Sequence, residues 1–244
     1  MPIGSLDVIN NFPYQDIRDY YVKWYRPDLQ GIMIVGDINV DEMEAKLKKV
    51  FADVKAPVHP ANRIYYPVAD NQEPLIFIGT DKEIETPSIS FFFKSEAFPD
   101  SLKNTINYYG IQYMLSMGIS MLNSRLAEIR QQADPPFTGA SAGYGDFFVA
   151  KTKSAFGIDA SSKIGGIELA MKTILEEAER ARRFGFTETE YDRARANYLQ
   201  RVESAYNERE KMKNDTYVNE YISNFLDNEP MPGIEYEYAM MNKL

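Results

Sequence analysis

The stretch DIRDYYVKWYRPDLQGIMIVGDINVDEMEAKLKKVFADV, from Asp16 to Val54, sets the fold class of this chain. Ile17, Tyr20, Tyr21 and Trp24 recur at i, i+3, i+4 and i+7, the spacing of one apolar helical face. Pro27 ends that helix, because proline lacks the N–H that the ladder needs. Ile32, Met33, Ile34 and Val35 form a continuous apolar run closed by Gly36 and Asp37, which predicts a buried strand. Met43, Leu47, Val50, Phe51 and Val54 then return to helical spacing. Helix, strand and helix follow one another with almost no slack.

Downstream, residues 56–72 read as a linker, because Pro57, Pro60 and Pro67 interrupt a polar stretch between two well-patterned regions. PLIFIGT and PSISFFFKSE then predict strands near Leu75 to Gly79 and Ser88 to Lys94. Asp100 is placed to cap a helix whose period runs through Leu102, Ile106, Tyr109 and Tyr113 to Gly118. Ile119, Leu122, Leu126 and Ile129 continue a second apolar face. FTGASAGYGDFFVA and KSAFGIDAS predict two more strands with a turn around Lys151 to Lys153. Ile167, Met171, Ile174 and Ala178 form a further helical face that Gly185 can end in a left-handed conformation, and Thr187 with Glu190 forms a capping box for the next helix. This order predicts an α+β fold, a layer of helices on one face of a mainly antiparallel sheet.

Composition narrows the function classes. At 244 residues the chain suits one large domain or about two ordinary ones, taking ~100 to 200 residues each. Hydrophobic residues make up 44%, enough to build a core. A net charge of -9 argues against nucleic acid or an anionic membrane surface as the main partner. No apolar stretch approaches the length of a membrane span, and the first residues lack a secretory signal. With no cysteine, disulfides, thiolate metal sites and cysteine nucleophiles are excluded, and the redox compartment stays open. His59 stands alone in the linker, too few histidines for a metal site. There is no GxSxG elbow and no P-loop, and Gly139, Gly143 and Gly145 lack the strand-to-helix context of a dinucleotide site. The acidic pairs Glu42 with Glu44 and Glu176 with Glu177 lie on charged helical stretches and read as solvated faces. Arg125 has Glu128 at i+3, which predicts a surface ion pair. Arg130, in the last turn of its helix, suits the negative end of the helix dipole.

Two blocks carry a family resemblance. The Asp16 to Val54 block, with Pro2, Ile3 and Gly4 upstream, closely resembles the end of the first domain of the M16 (pitrilysin and insulinase-like) zinc metallopeptidases. MLNSRLAEIRQQADPPFTGASAGYG, Met121 to Gly145, resembles their C-terminal-type domain. The resemblance implies a LuxS/MPP-like metallohydrolase-type fold, with residues 1–55 the remnant of a metal-bearing first domain, 56–72 a linker and 73–244 a second, metal-free domain truncated at its end. It also implies a parent endopeptidase that encloses peptides or unfolded polypeptides in a chamber built with further M16 domains, of the same chain or of a partner subunit. That parent would bind zinc, and export to a bacterial periplasm is compatible with it. The family's zinc motif HxxEH is absent from this chain, so the segment is expected to hold no metal and no catalytic residue of its own. In catalytically engaged copies of the second block, an Arg and a Tyr seven positions later hold substrate and the developing oxyanion. Arg130 matches that Arg, whereas the second position is Phe137, which has no hydroxyl to donate. These two are the candidate substrate-binding residues. The alternative implied by the same resemblance is a metal-free partner or scaffold subunit.

Overall fold

The computed structural model describes residues 4–243. It comprises two units, Met1–Ile64 with Lys213–Asp227, and Tyr65–Met212 with Asn228–Leu244.

The first unit is helical. It contains α1 (Leu6–Asn11), α2 (Tyr14–Trp24), a 3-10 turn at Pro27–Leu29, α3 (Val40–Val50) and a later helix, Asn214–Asp227, which is α8 in chain order. Asn39 starts α3 by accepting a hydrogen bond from the Glu42 backbone N–H at 3.2 Å. Asp41 and Glu42 in its first turn and Lys48 and Lys49 in its last complement the helix dipole. Pro27 does stop α2, which ends at Trp24. The buried strand expected at Ile32 to Val35 is not formed: those residues belong to no ladder, and Ile32 is 56% exposed. A strand is stabilised by its neighbours, and among the described residues of this unit no other segment pairs with it. Arg26 is the unit's buried cation, its Nη2 donating to the Ala61 carbonyl at 2.6 Å and its Nε lying 3.3 Å from Asp28. Gly31 gives the Phe225 ring of α8 room, since a Cβ there would sit 3.2 Å from it.

The second unit holds the sheet. Its elements are β1 (Ser88–Glu96), α4 (Asp100–Lys103), α5 (Ile106–Arg130), β2 (Gly139–Asp146), β3 (Lys153–Ser161), α6 (Ile167–Phe184), α7 (Glu188–Asn207) and α9 (Ile234–Met241). The strand order is β1-β3-β2, antiparallel throughout. The register aligns Ile89, Ala160 and Ala140, then Phe91, Ile158 and Ala142, then Phe93, Phe156 and Tyr144 on one face. Against that face α5 contributes Leu122 and Leu126, and α6 contributes Ala170 and Ile174. The opposite face carries Ser90, Asp159, Ser141, Phe92, Gly157 and Gly143, mostly polar or small and largely exposed. The helices therefore lie on one face of an antiparallel sheet, as the element order predicts. Leu126, Phe137, Ile158 and Ile174 are the largest fully buried side chains, each worth about 1.5–3 kcal/mol in transfer terms.

Local details of the second unit differ from the sequence reading in three places. Leu75 to Gly79 form no strand, and Leu75, Ile76, Phe77 and Ile78 are 82–93% exposed; β-propensity alone does not supply a ladder partner. The helix expected from Asp100 is broken. Asp100 lies inside the first turn of the short α4, behind Pro99, and Thr105 caps the long helix instead. The Thr105 hydroxyl accepts from the Tyr108 N–H at 3.3 Å and donates to the Leu102 carbonyl at 2.6 Å, which closes α4 and opens α5. From there α5 runs through Gly118 without interruption to Arg130. Gly185 ends α6 with a positive φ of 68°, but its ψ of -148° is extended rather than left-handed helical.

Candidate functional site

The segment joining α5 to β2 carries both candidate residues. The Gln131 N–H bonds the Glu128 carbonyl at 3.1 Å and the Gln132 N–H bonds the Ile129 carbonyl at 3.2 Å, tightening the last turn of α5. Pro135 and Pro136 lead out of that turn, and Thr138 docks on β3, its N–H donating to the Ser161 carbonyl at 2.7 Å. Between these anchors Phe137 turns inward and is 1% exposed, packed in the cluster of Leu122, Leu126, Ile158 and Ile174. Arg130 is exposed at the final position of α5, with no hydrogen-bond or ion-pair partner among the described residues. The loop thus sends the guanidinium to solvent and the ring to the core.

Arg125 behaves differently from its sequence reading. Its expected partner Glu128 lies instead 3.7 Å from Arg193. The Arg125 guanidinium forks onto Glu190 of α7, Nε to Oε1 at 2.5 Å and Nη2 to Oε2 at 2.9 Å. Its Nη2 also donates to the Gly185 carbonyl at 3.1 Å, and the group lies 4.6 Å from the Phe186 ring centre. Glu190 is the capping-box carboxylate of α7, so its Oε2 also accepts from the Thr187 N–H at 2.7 Å and the Thr187 hydroxyl at 2.9 Å. The Arg125 hydrogen bonds, with those from Thr187, hold the Glu190 carboxyl down at about 2. Geometry of this kind positions three helices. It leaves the guanidinium committed to protein rather than to a ligand.

A second cation tethers the segment ahead of the sheet. Lys153 is 6% exposed and pairs with Asp70 at 2.9 Å and with Glu96 of β1. The hydrogen bond from Lys153, more than its charge, lowers the Asp70 pKa. Thr152 donates to the Tyr66 carbonyl at 3.3 Å and accepts from the Val68 N–H at 3.4 Å. Residues 66–70 consequently lie along the β2–β3 turn.

Zinc does not fit the residues present. His59 is exposed, cysteine is absent, and among the described residues no group of three His, Asp or Glu side chains could hold a metal ion. No helix is long and apolar enough to cross a membrane. In the second unit, Arg125 and Lys153 are spent on holding helices and loops in place, and Arg130 faces solvent.

The sequence profile of the Peptidase M16 inactive domain matches residues 11–198, and this chain belongs to that family. It is 28% identical over 245 residues to the "Zinc protease PQQL-like" protein of Arabidopsis thaliana, matching all of this chain and 22% of that protein. It is 22% identical over 244 residues to the "Probable zinc protease PqqL" of Escherichia coli K12, matching all of this chain and 26% of that one. The chain therefore spans about a quarter of the length of these relatives. Among solved structures, the periplasmic protease PqqL of Escherichia coli superposes with a TM-score of 0.78 at 20% identity, over 99% of this chain and 26% of that one. That likeness bears on the fold.

Proposed function

We propose that this chain is the non-catalytic part of a larger M16-family zinc endopeptidase and forms part of the wall of a chamber that encloses peptides or unfolded polypeptides. The observation that carries the reading is the family match over residues 11–198 in a chain with a single histidine and no HxxEH. On this reading residues 1–55 close a metal-bearing first domain, 56–72 link it to the second, and 73–244 are that second domain. Zinc would be held outside this chain, by other M16 domains of the same polypeptide or of a partner subunit. A periplasmic location for the parent is supported by the likeness to a periplasmic protease.

The first expected result is that the purified chain retains no stoichiometric zinc after gel filtration and cleaves no peptide, because one histidine and no thiol cannot supply three protein ligands. One tightly held zinc per chain with chelator-sensitive peptidase activity would overturn the proposal. The rival reading, a metal-free partner or scaffold subunit, is favoured by Phe137, which lacks the hydroxyl an engaged copy would use. An HxxEH with a downstream Glu upstream of this segment in the reading frame separates the two.

Arg130 is the residue of the pair that could touch a peptide, since it is exposed and uncommitted among the described residues. Without a hydroxyl at position 137, this copy lacks the second donor for an oxyanion. Arg130→Ala in the parent is therefore expected to change kcat by less than about threefold, and a drop of roughly a hundredfold with unchanged folding would place this segment in the chemistry.

A further inference from the structure

Residues 71–87 form a loop of the second unit that is tied down at both ends of one strand. At its start, the Ala69 carbonyl accepts from Lys94 and Asp70 pairs with Lys153 at 2.9 Å, and Lys153 stands opposite Glu96, the last residue of β1. At its end, the Pro87 carbonyl accepts from the Ser162 N–H at 2.9 Å, next to Ser88, the first residue of β1. The loop therefore travels from the end of β1 back to its beginning, the direction that an antiparallel neighbour of β1 has to take. The nine residues of β1 span about 27–30 Å, which roughly nine extended residues cover, so the seventeen of the loop leave slack. Part of that slack is already folded into a turn. The Ile84 N–H donates to the Asp81 carbonyl at 3.3 Å and the Glu83 N–H to Asp81 Oδ1 at 2.9 Å, between Leu75–Gly79 and β1, where a hairpin would reverse.

Strand and loop each lack a ladder partner among the described residues. β1 lies at one edge of the sheet, with β3 on one side and no strand on the other. Leu75, Ile76, Phe77 and Ile78 are 82–93% exposed, and both faces of that run are apolar, as in a strand covered on two sides. Beside the free edge, Phe92 and Phe93 point to opposite faces of the sheet and are 48% and 53% exposed. We propose that residues 71–87 are a strap that closes on β1, with Leu75–Gly79 adding to its free edge as a fourth, antiparallel strand, and that the structure holds the strap open. The closed strap pairs the backbone groups of the edge and covers Phe92 on one face and Phe93 on the other. It guards the edge, since an extended segment of another chain has to displace it first. The ties at Asp70 and Pro87 make closure a local step, because the ends of the loop are already held together with β1. The inference goes beyond the chamber-wall reading and does not depend on it.

Nitrogen-15 relaxation dispersion on the 244-residue chain tests it, because a minor closed state of about 0.1–10% that exchanges in microseconds to milliseconds is visible to that method. The amides of Leu75–Gly79 and of β1 are expected to show dispersion with one common rate. Both segments should lose it in the double variant Ile76→Pro, Phe77→Pro, which removes an N–H of either orientation from the run and so breaks its pairing. Unchanged β2 amide shifts between the two proteins confirm that the variant is folded. Flat profiles in both segments of the wild-type chain would overturn the proposal, as would dispersion of β1 that survives in the variant. Dispersion that grows with protein concentration would overturn it too, by assigning the edge to a second copy. The measurement involves neither zinc nor peptide, so its outcome is separate from whether the parent is a peptidase.

Discussion

Phe137→Ala in the 244-residue chain is expected to destabilise the second unit by about 3–5 kcal/mol, the range for deleting a buried aromatic ring. The ring is 1% exposed and packs with Leu122, Leu126, Ile158 and Ile174, so it joins both helices of the layer to the central strand. The anchors on either side of it, the end of α5 and the Thr138 bond to β3, limit how far the loop can collapse into the vacated space. Residual cavity volume is what raises the cost of such truncations. Denaturant unfolding followed by circular dichroism measures it, and a loss below about 1 kcal/mol would show that the ring is not the keystone of this cluster. Phe137→Tyr is informative beside it. A hydroxyl at this buried position needs a partner, and without one it costs roughly 1–3 kcal/mol, so restoring the tyrosine of engaged copies does not by itself restore a substrate contact.

Arg125→Met is expected to cost about 2–4 kcal/mol, the next largest effect, because it strips two charge-assisted hydrogen bonds from Glu190 while leaving that carboxylate in the α7 cap. The side chains are 12% and 22% exposed, which keeps the figure below that of a fully buried pair. A double-mutant cycle with Glu190→Gln isolates the coupling, and a coupling energy near zero would reduce the pair to surface decoration. The pH dependence follows from the same bonds. Glu190 titrates at about 2 when folded, below its ordinary 4.5, so its stabilisation is complete above about 4.5 and is lost as pH falls toward 2. Wild-type stability should therefore drop more steeply over that window than that of Glu190→Gln.

These two residues mark where sequence reasoning reached and where it stopped. The capping box at Thr187 and Glu190 was legible because its members are three residues apart on one helix. The identity of the cation completing it was not: Arg125 has an acidic neighbour at i+3, and local spacing favours that neighbour over a carboxylate 65 positions away. Likewise Arg130 and Phe137 read as one candidate site, because a seven-residue spacing says nothing of direction. The doubled proline and the Thr138 anchor turn one outward and the other inward.

The sequence by itself determined the main helical faces, the capping box at Thr187 and Glu190 and the α+β order, together with the absence of a histidine pair or thiol, since each depends on residues within a turn or two or on composition alone. Tertiary structure decided which apolar runs became strands. Ser88–Glu96 gained β3 as a neighbour and formed a ladder, whereas Ile32 to Val35 and Leu75 to Gly79, with similar propensity, have no partner among the described residues. A helix closes its hydrogen bonds within its own segment and is therefore written locally. A strand closes them on another segment, and that partner is fixed only when the whole chain has packed.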